Sequence, residues 1–238
     1  MGDAGQTVSL SLFGFGGPMG RAWALAQMLM GRRPLARLPG LSFYKMCGTG
    51  TGEGFTPIPN TAVYTILGVW ETRSHAEAAL HEAEVFGRYA RHASMTCTLL
   101  MQATSARGRW SRQAPFTVTR PRLDGPIAAL TRATLRPRAL PQFWGQVGPI
   151  SERIGANQDV VFKIGMGEVP WMQQITFSIW PDSESMARFA RADGPHAEAI
   201  RAVREGAWFS EELYARFEIL GRMGEWPGLS SLPFADAR

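Results

Sequence analysis

Apolar and polar positions alternate through Val8–Phe13 and again through Ile127–Arg132, the period of a half-buried strand. Each strand leads into an amphipathic stretch with a tryptophan and a nearby proline: Arg21–Met28 around Trp23, and Gln142–Ile150 around Trp144. This spacing predicts helices. Two apolar runs ending at glycine follow, Ser42–Gly48 with Lys45 and Val160–Gly165 with Lys163. A third strand pair, Val63–Trp70 and Gln174–Trp180, precedes a second helix in each half. Ser74 and Glu77 have the spacing of a capping box for the first of these helices, and Asp182 is available to cap the second. Each half closes with a strand and a Gly-x-Trp: Thr96–Gln102 with Gly108 and Trp110, then Tyr214–Leu220 with Gly224 and Trp226.

The order β-α-β-β-α-β occurs twice, and each copy is a ferredoxin-like unit. A four-stranded sheet with helices on one face leaves its other face bare, and two such faces in one chain bury each other. The expected fold is therefore α+β: two fused ferredoxin-like βαββαβ repeats, residues 1–124 and 125–238, closed into a pseudo-twofold barrel of the dimeric α+β barrel type. The only two lysines read as equivalent positions. Spacing between landmarks locates two insertions, one of eight residues in Gly48–Asn60 of the first half and one of six around Ala192–His196 of the second.

Composition narrows the function classes. With 238 residues, 45% hydrophobic and 19% charged, the chain buries a sizeable core and is not disordered. The net charge of +5 comes from arginines spread along the chain; the densest groups, Arg32–Arg33–Arg37 and Arg132–Arg136–Arg138, are too thin for a polybasic arm. The aromatic strand motif of RNA-recognition domains is also missing, so no nucleic acid is expected. No apolar run of about 20 residues and no signal-peptide pattern are present, which predicts a cytoplasmic protein. Cys47 and Cys97 form no CxxC and read as buried small hydrophobes.

Few residues offer chemistry. The glycine run from Gly48 to Gly54 precedes a strand, where a phosphate loop needs a helix, so it reads as a hairpin loop or as a lid over a cavity. His75 and His81 fall on solvated helix positions, and His92, after Val85 and Tyr89, reads as a core histidine. His196 follows Gly194–Pro195, which looks like a helical restart. Ile200 and Val203 share its face, and Phe189 lies seven residues before it. A helix start and an apolar wall both keep the imidazole neutral, so it either packs or binds a metal. No second ligand stands near it at a zinc or non-haem iron spacing. Haem needs only one axial histidine, apolar walls and basic partners for its propionates.

Phe43–Pro57, Ile127–Thr134, Val161–Pro170, Gln174–Pro181, Gly194–His196, Trp208–Phe209 and Glu212–Phe217 together resemble the spheroidene monooxygenase family, and the likeness runs from about Gln6 to Trp226. The resemblance implies an oxygenase of carotenoid biosynthesis that hydroxylates an acyclic carotenoid such as spheroidene twice at one carbon, giving a gem-diol that loses water to the ketone spheroidenone. It implies haem, dioxygen and electrons from reduced ferredoxin. It also implies distant kinship with dimeric α+β barrel haem proteins, among them chlorite dismutases and haem-degrading monooxygenases.

In those barrels a histidine on the second helix of a unit is the axial ligand, and His196 falls at that place, with Phe189 and Ile200 as haem-contacting neighbours. Arg132 and Lys163 are expected to pair with propionates or polarise oxygen, and Gln173 and Gln174 to polarise oxygen by hydrogen bonding. His92 and Cys97 stay open as alternative axial ligands. The same barrel serving another apolar small molecule, as enzyme or haem carrier, is the rival reading. The helix Trp23–Met30 is expected to line a tunnel, touch the inner membrane or pack in the core. Association into homo-oligomers is open.

Overall fold

A computed structural model describes residues 5–52, 56–119, 125–145, 160–191 and 208–229. The first half runs β1 (Thr7–Gly14), α1 (Gly17–Met30), α2 (Arg32–Leu35), β2 (Leu41–Gly50), β3 (Pro59–Trp70), α3 (Arg73–Glu82), α4 (Glu84–His92) and β4 (Met95–Gly108). In the second, β5 (Ile127–Leu135) leads into a helical turn and helical residues 140–145, followed by β6 (Phe162–Gly167), β7 (Gln173–Trp180), α5 (Ser183–Arg191) and β8 (Phe209–Gly224).

The eight strands close into one antiparallel barrel in the order β1-β3-β2-β6-β7-β5-β8-β4, which leaves no sheet edge unpaired. Each half supplies a four-stranded sheet of ferredoxin-like order. The two joins are unequal. β4 and β8 pair from Cys97 to Gly108, whereas β2 and β6 meet only at Gly48–Gly167 and Thr49–Met166. Alternation along each strand sends one set of side chains into the lumen, including Leu10, Leu12, Cys97, Leu99, Phe177 and Phe217. The opposite set on the first-half sheet, with Phe13, Tyr64, Ile66 and Leu100, is buried under helices by Trp23, Val85, Phe86 and Tyr89.

Strand register corrects the reading of the lysines. Trp70 faces Thr7 across β1–β3 as Trp180 faces Ile127 across β5–β7, so Gly68 and Ser178 are equivalent. Gly68 pairs with Tyr44 and Ser178 pairs with Lys163. Lys163 is thus the counterpart of Tyr44, one residue out of step with Lys45, and a one-residue offset puts the two side chains on opposite sheet faces. Lys45 points into the lumen and Lys163 points outward.

Two further expectations change. The cap of α3 is Thr72, whose hydroxyl accepts the His75 amide at 3.2 Å; Ser74 lies inside the helix. His92 is exposed at the end of α4, its ring stacked on Trp23 at 4.0 Å and Nδ1 at 2.9 Å from the Arg88 carbonyl oxygen. It packs on the same Trp23 ring as Tyr89, but as the last residue of α4 it lies at the exposed end of that face. Asp182 caps α5 as expected, accepting the Ser185 amide at 2.7 Å.

Candidate functional site

The outward faces of the two half-sheets are related by pseudo-symmetry but differ in filling. In the first half the face is solid: on the central strand Ser11 is fully buried beside Ile66, and one side-chain repeat along, Ser9 is buried beside Leu100. The counterparts of Ser11, Ile66 and Leu100 in the second half are Thr131, Thr176 and Arg216, and Thr131 is exposed. On this face of the second half lies a cavity of about 530 Å³. Ala129, Thr131, Thr176, Ser178 and Tyr214 belong to its floor, Trp180, Met186 and Phe189 stand at one side, and Arg107 and Arg216 at another. Phe189 is held by the Trp180 ring at 5.2 Å, and the Arg107 guanidinium lies 5.2 Å from the Tyr214 ring centre.

Such a slot has the features a flat, largely apolar, dianionic cofactor requires: small residues on a sheet floor, aromatic and thioether walls, and two guanidinium groups at the rim. Haem fits this residue set. Among the described residues no cluster of three or more His, Cys, Asp or Glu could hold a bare metal ion.

A second cavity, about 450 Å³, opens where β2 and β6 barely touch. Leu25 and Met28 of α1, Tyr64, Trp144, Trp171 and Pro170 give it a mostly apolar wall, and Gln173 and Gln174 line it with Glu168. The segment that carries the first insertion joins β2 to β3 and also lines the cavity, with Gly48 and Gly50 from the end of β2, Thr56 and Pro57 from the connection and Asn60 from the start of β3. Trp171 bridges the halves: its indole donates to the Pro57 carbonyl at 2.9 Å, and its own carbonyl accepts from Trp144 at 3.1 Å. Gln174 and Thr176 share the outward face of β7, so groove and slot lie along one strand face, one side-chain repeat apart.

Inside the barrel, below the groove, lies a network of buried charge. Lys45 Nζ is 2.7 Å from Glu168 and donates to Ser111 Oγ at 2.6 Å, while Trp110 Nε1 donates to the other Glu168 oxygen at 2.6 Å. Arg132, 1% exposed, pairs with Glu211 at 2.5 Å and lies 5.8 Å from the Trp110 ring. Glu211 also accepts the backbone amides of Ser111 and Arg112, two residues at positive φ that turn their N–H groups toward it. Burial pushes the Glu211 carboxyl up, but those amides and the Arg132 guanidinium outweigh it and hold the group below the usual carboxylate range. At the pseudo-symmetric end of the lumen the matching positions are Ile164, Thr49, Leu12 and Met95, so none of the four charges has a charged counterpart there; that end holds Arg222 instead, opposite Leu99 and donating to the Leu229 carbonyl at 2.7 Å.

The sequence-predicted residues are therefore divided among three places. Phe189 lines the outward slot. Lys163 stands on the same sheet face beside Ser178. Gln173 and Gln174 line the groove, where Gln173 Oε1 and Gln174 Nε2 are buried without a protein partner. Arg132 faces the lumen, on the opposite side of β5 from the slot, and its carboxylate partner is Glu211. His196 and Ile200 lie outside the described residues; α5 ends at Arg191, five positions before His196. Cys97 is in the lumen, its thiol pushed up to about 11 by burial, and Cys47 is raised further by the same cause. Glu168, Glu211, Arg107 and Arg216 escaped sequence reasoning. Two inward-pointing cations, Lys45 and Arg132, were the available signal, since buried charges need partners.

No family model matches the chain. Among solved structures, aldoxime dehydratase superimposes with a TM-score of 0.61 over 91% of this chain and 82% of that one at 12% identity. An aldoxime dehydratase in complex with butyraldoxime does so with a TM-score of 0.61 at 10% identity, over 92% of this chain and 81% of that one. These likenesses establish the dimeric α+β barrel fold. In sequence, the chain is 48% identical over 227 residues to the spheroidene monooxygenase of Rhodobacter capsulatus, covering 94% of both proteins. It is 51% identical over 225 residues to that of Cereibacter sphaeroides, covering 94% of this chain and 69% of the relative. The corresponding protein of Rubrivivax gelatinosus is 34% identical over 211 residues, covering 89% of this chain and 81% of its own. The chain belongs to the spheroidene monooxygenase family.

Proposed function

We propose that this protein is a haem-dependent monooxygenase that oxidises the end of an acyclic carotenoid of the spheroidene type to a ketone. The observation that supports it most is the contrast between the half-sheets: a face packed solid in one half is opened in the other into a slot with apolar walls and arginines. Haem in that slot would rest on Thr131 and Thr176, lie against Phe189 and Met186, and direct its propionates to Arg107 and Arg216, with Lys163 nearby. His196 would be the axial ligand. Bound haem supplies the activation of dioxygen.

The rest of the work falls to the protein. The seam groove excludes water around a polyene chain that has almost no polar handle, and Gln173 and Gln174 offer hydrogen bonds where its oxidised end becomes polar. Each hydroxylation takes one dioxygen, two electrons and two protons, places one oxygen atom in a C–H bond and releases the other as water. Reduced ferredoxin supplies the electrons. A second round at the same carbon gives a gem-diol, and loss of water leaves spheroidenone. Arg132 and Lys45, both neutralised in the lumen, hold the barrel end beneath the groove in one geometry.

Optical spectra of purified, reconstituted protein test the cofactor: a Soret band is expected, and His196→Ala is expected to lose it. Full haem content and an unchanged Soret band in His196→Ala would remove that residue from the site. A reduced carbon monoxide band near about 450 nm would transfer the ligand to a thiolate. Supplying spheroidene, dioxygen and reduced ferredoxin is expected to yield the ketone, and product from another apolar compound alone would reassign the substrate.

A further inference from the structure

The outward side of α1 is unlike that of a helix facing water. Gly17–Met30 contains one charged residue, Arg21, and its buried side is already occupied by Ala24, Gln27 and the half-buried Trp23. The opposite side presents Met19 at 88% exposure, Leu29 at 76%, and Leu25 and Met30 at 59% each. Met19, Ala22, Leu25, Ala26 and Leu29 recur at intervals of three and four, so the exposed apolar side chains form a stripe along the axis. Where the helix ends, Arg32, Arg33 and Arg37 are exposed, and no acidic residue occurs between Gly5 and Gly52. The stripe is continuous with the seam groove, because Leu25 and Met28 line that groove from the same helix. Across its mouth stand Ile58 at 63% exposure and Trp171 at 55%.

We propose that α1, its flanking arginines and the apolar rim formed by Ile58 and Trp171 dock on an anionic lipid bilayer with the groove mouth facing the hydrocarbon. Long aliphatic chains on a helix with guanidinium groups at its end match an interface of acyl chains below anionic headgroups. A tryptophan at the rim suits the headgroup level. An acidic protein would satisfy the arginines but would leave Met19 and Leu29 without a counterpart. The proposal rests on the reading above only in that a lipid-soluble polyene is delivered at the mouth. Docking itself needs neither haem nor turnover, so the two fail separately.

The test is flotation of the full chain with vesicles of phosphatidylcholine, with and without phosphatidylglycerol. Binding is expected on the anionic vesicles and to be at least about tenfold weaker on the neutral ones. Met19→Ser/Leu29→Ser/Met30→Ser is expected to abolish flotation while melting like wild type and oxidising detergent-dispersed substrate at the wild-type rate. Arg32→Gln/Arg33→Gln is expected to lose the preference for phosphatidylglycerol. Absence of flotation by the wild type overturns the proposal. So does flotation of the triple variant at the wild-type level, or a wild-type dimer that the triple variant converts to monomer, which would make the stripe a contact between copies. Arginine-dependent binding to ferredoxin without any binding to vesicles would give the face to a protein partner and equally overturn it.

Discussion

At the scale of single residues, the barrel end holding Lys45, Trp110, Arg132, Glu168 and Glu211 shows how charge is tolerated in an apolar lumen. Each cation is matched to a carboxylate and each carboxylate accepts further donors. Removing one partner strands the other, so Glu211→Gln is expected to destabilise the fold by about 3–5 kcal/mol, read from the shift in urea midpoint. Glu84→Gln, which breaks the exposed pair with Arg91, should cost less than about 1 kcal/mol. The Glu211 carboxyl is held down in the folded state, so its stabilisation is complete above the unfolded value of about 4.3 and is lost as pH falls through the lower folded value. The gap between wild type and Glu211→Gln should therefore close in acid, and a gap that widened would contradict the assignment. Lys45 and Arg132 could be picked out in the chain. Their carboxylates could not, because Glu168 meets Lys45 only through the β2–β6 join between the halves and Glu211 meets Arg132 only through the β5–β8 pairing.

At the scale of elements, the repeated Gly-x-Trp has a backbone cause. Gly108 and Gly224 sit at opposite ends of the β4–β8 ladder with φ of +100° and +77°. A Cβ on either would collide with a carbonyl oxygen of the facing strand, Glu212 for the first and Thr96 for the second. Gly108→Ala and Gly224→Ala should each cost at least about 1–3 kcal/mol, and the double variant close to their sum, since the sites share no partner. Thermal or urea unfolding checks both. Element order was legible because strand alternation, tryptophans and glycines recur in register across the halves. The residue-by-residue equivalence of β2 and β6 was not, since matching Lys45 with Lys163 is off by one residue and pairing to β3 and β7 decides it. The cap of α3 was displaced for a similar reason: Thr72 and Ser74 are both able to cap, and only the end of β3 selects Thr72.

At the scale of the whole molecule, duplication produced a closed barrel whose halves have diverged in use. The first half keeps its outer face as core, while the second has traded Ile66, Leu100 and buried Ser11 for Thr176, Arg216 and exposed Thr131. That difference lies in ordinary threonines and one arginine, residue types without a signature in the sequence, and is visible only once the two faces are superposed. The long β4–β8 join and the two-pair β2–β6 join place the sparsely paired side of the barrel at the groove. The most direct test is a haem titration of the purified apoprotein at the Soret band, wild type beside Thr131→Phe/Thr176→Ile. The wild type is predicted to saturate at one haem per chain, and the variant, with phenylalanine and isoleucine side chains occupying the slot floor, to take up none while melting like wild type. A wild type without a Soret band, or a filled variant that binds haem as the wild type does, would contradict the placement of the cofactor in the second half.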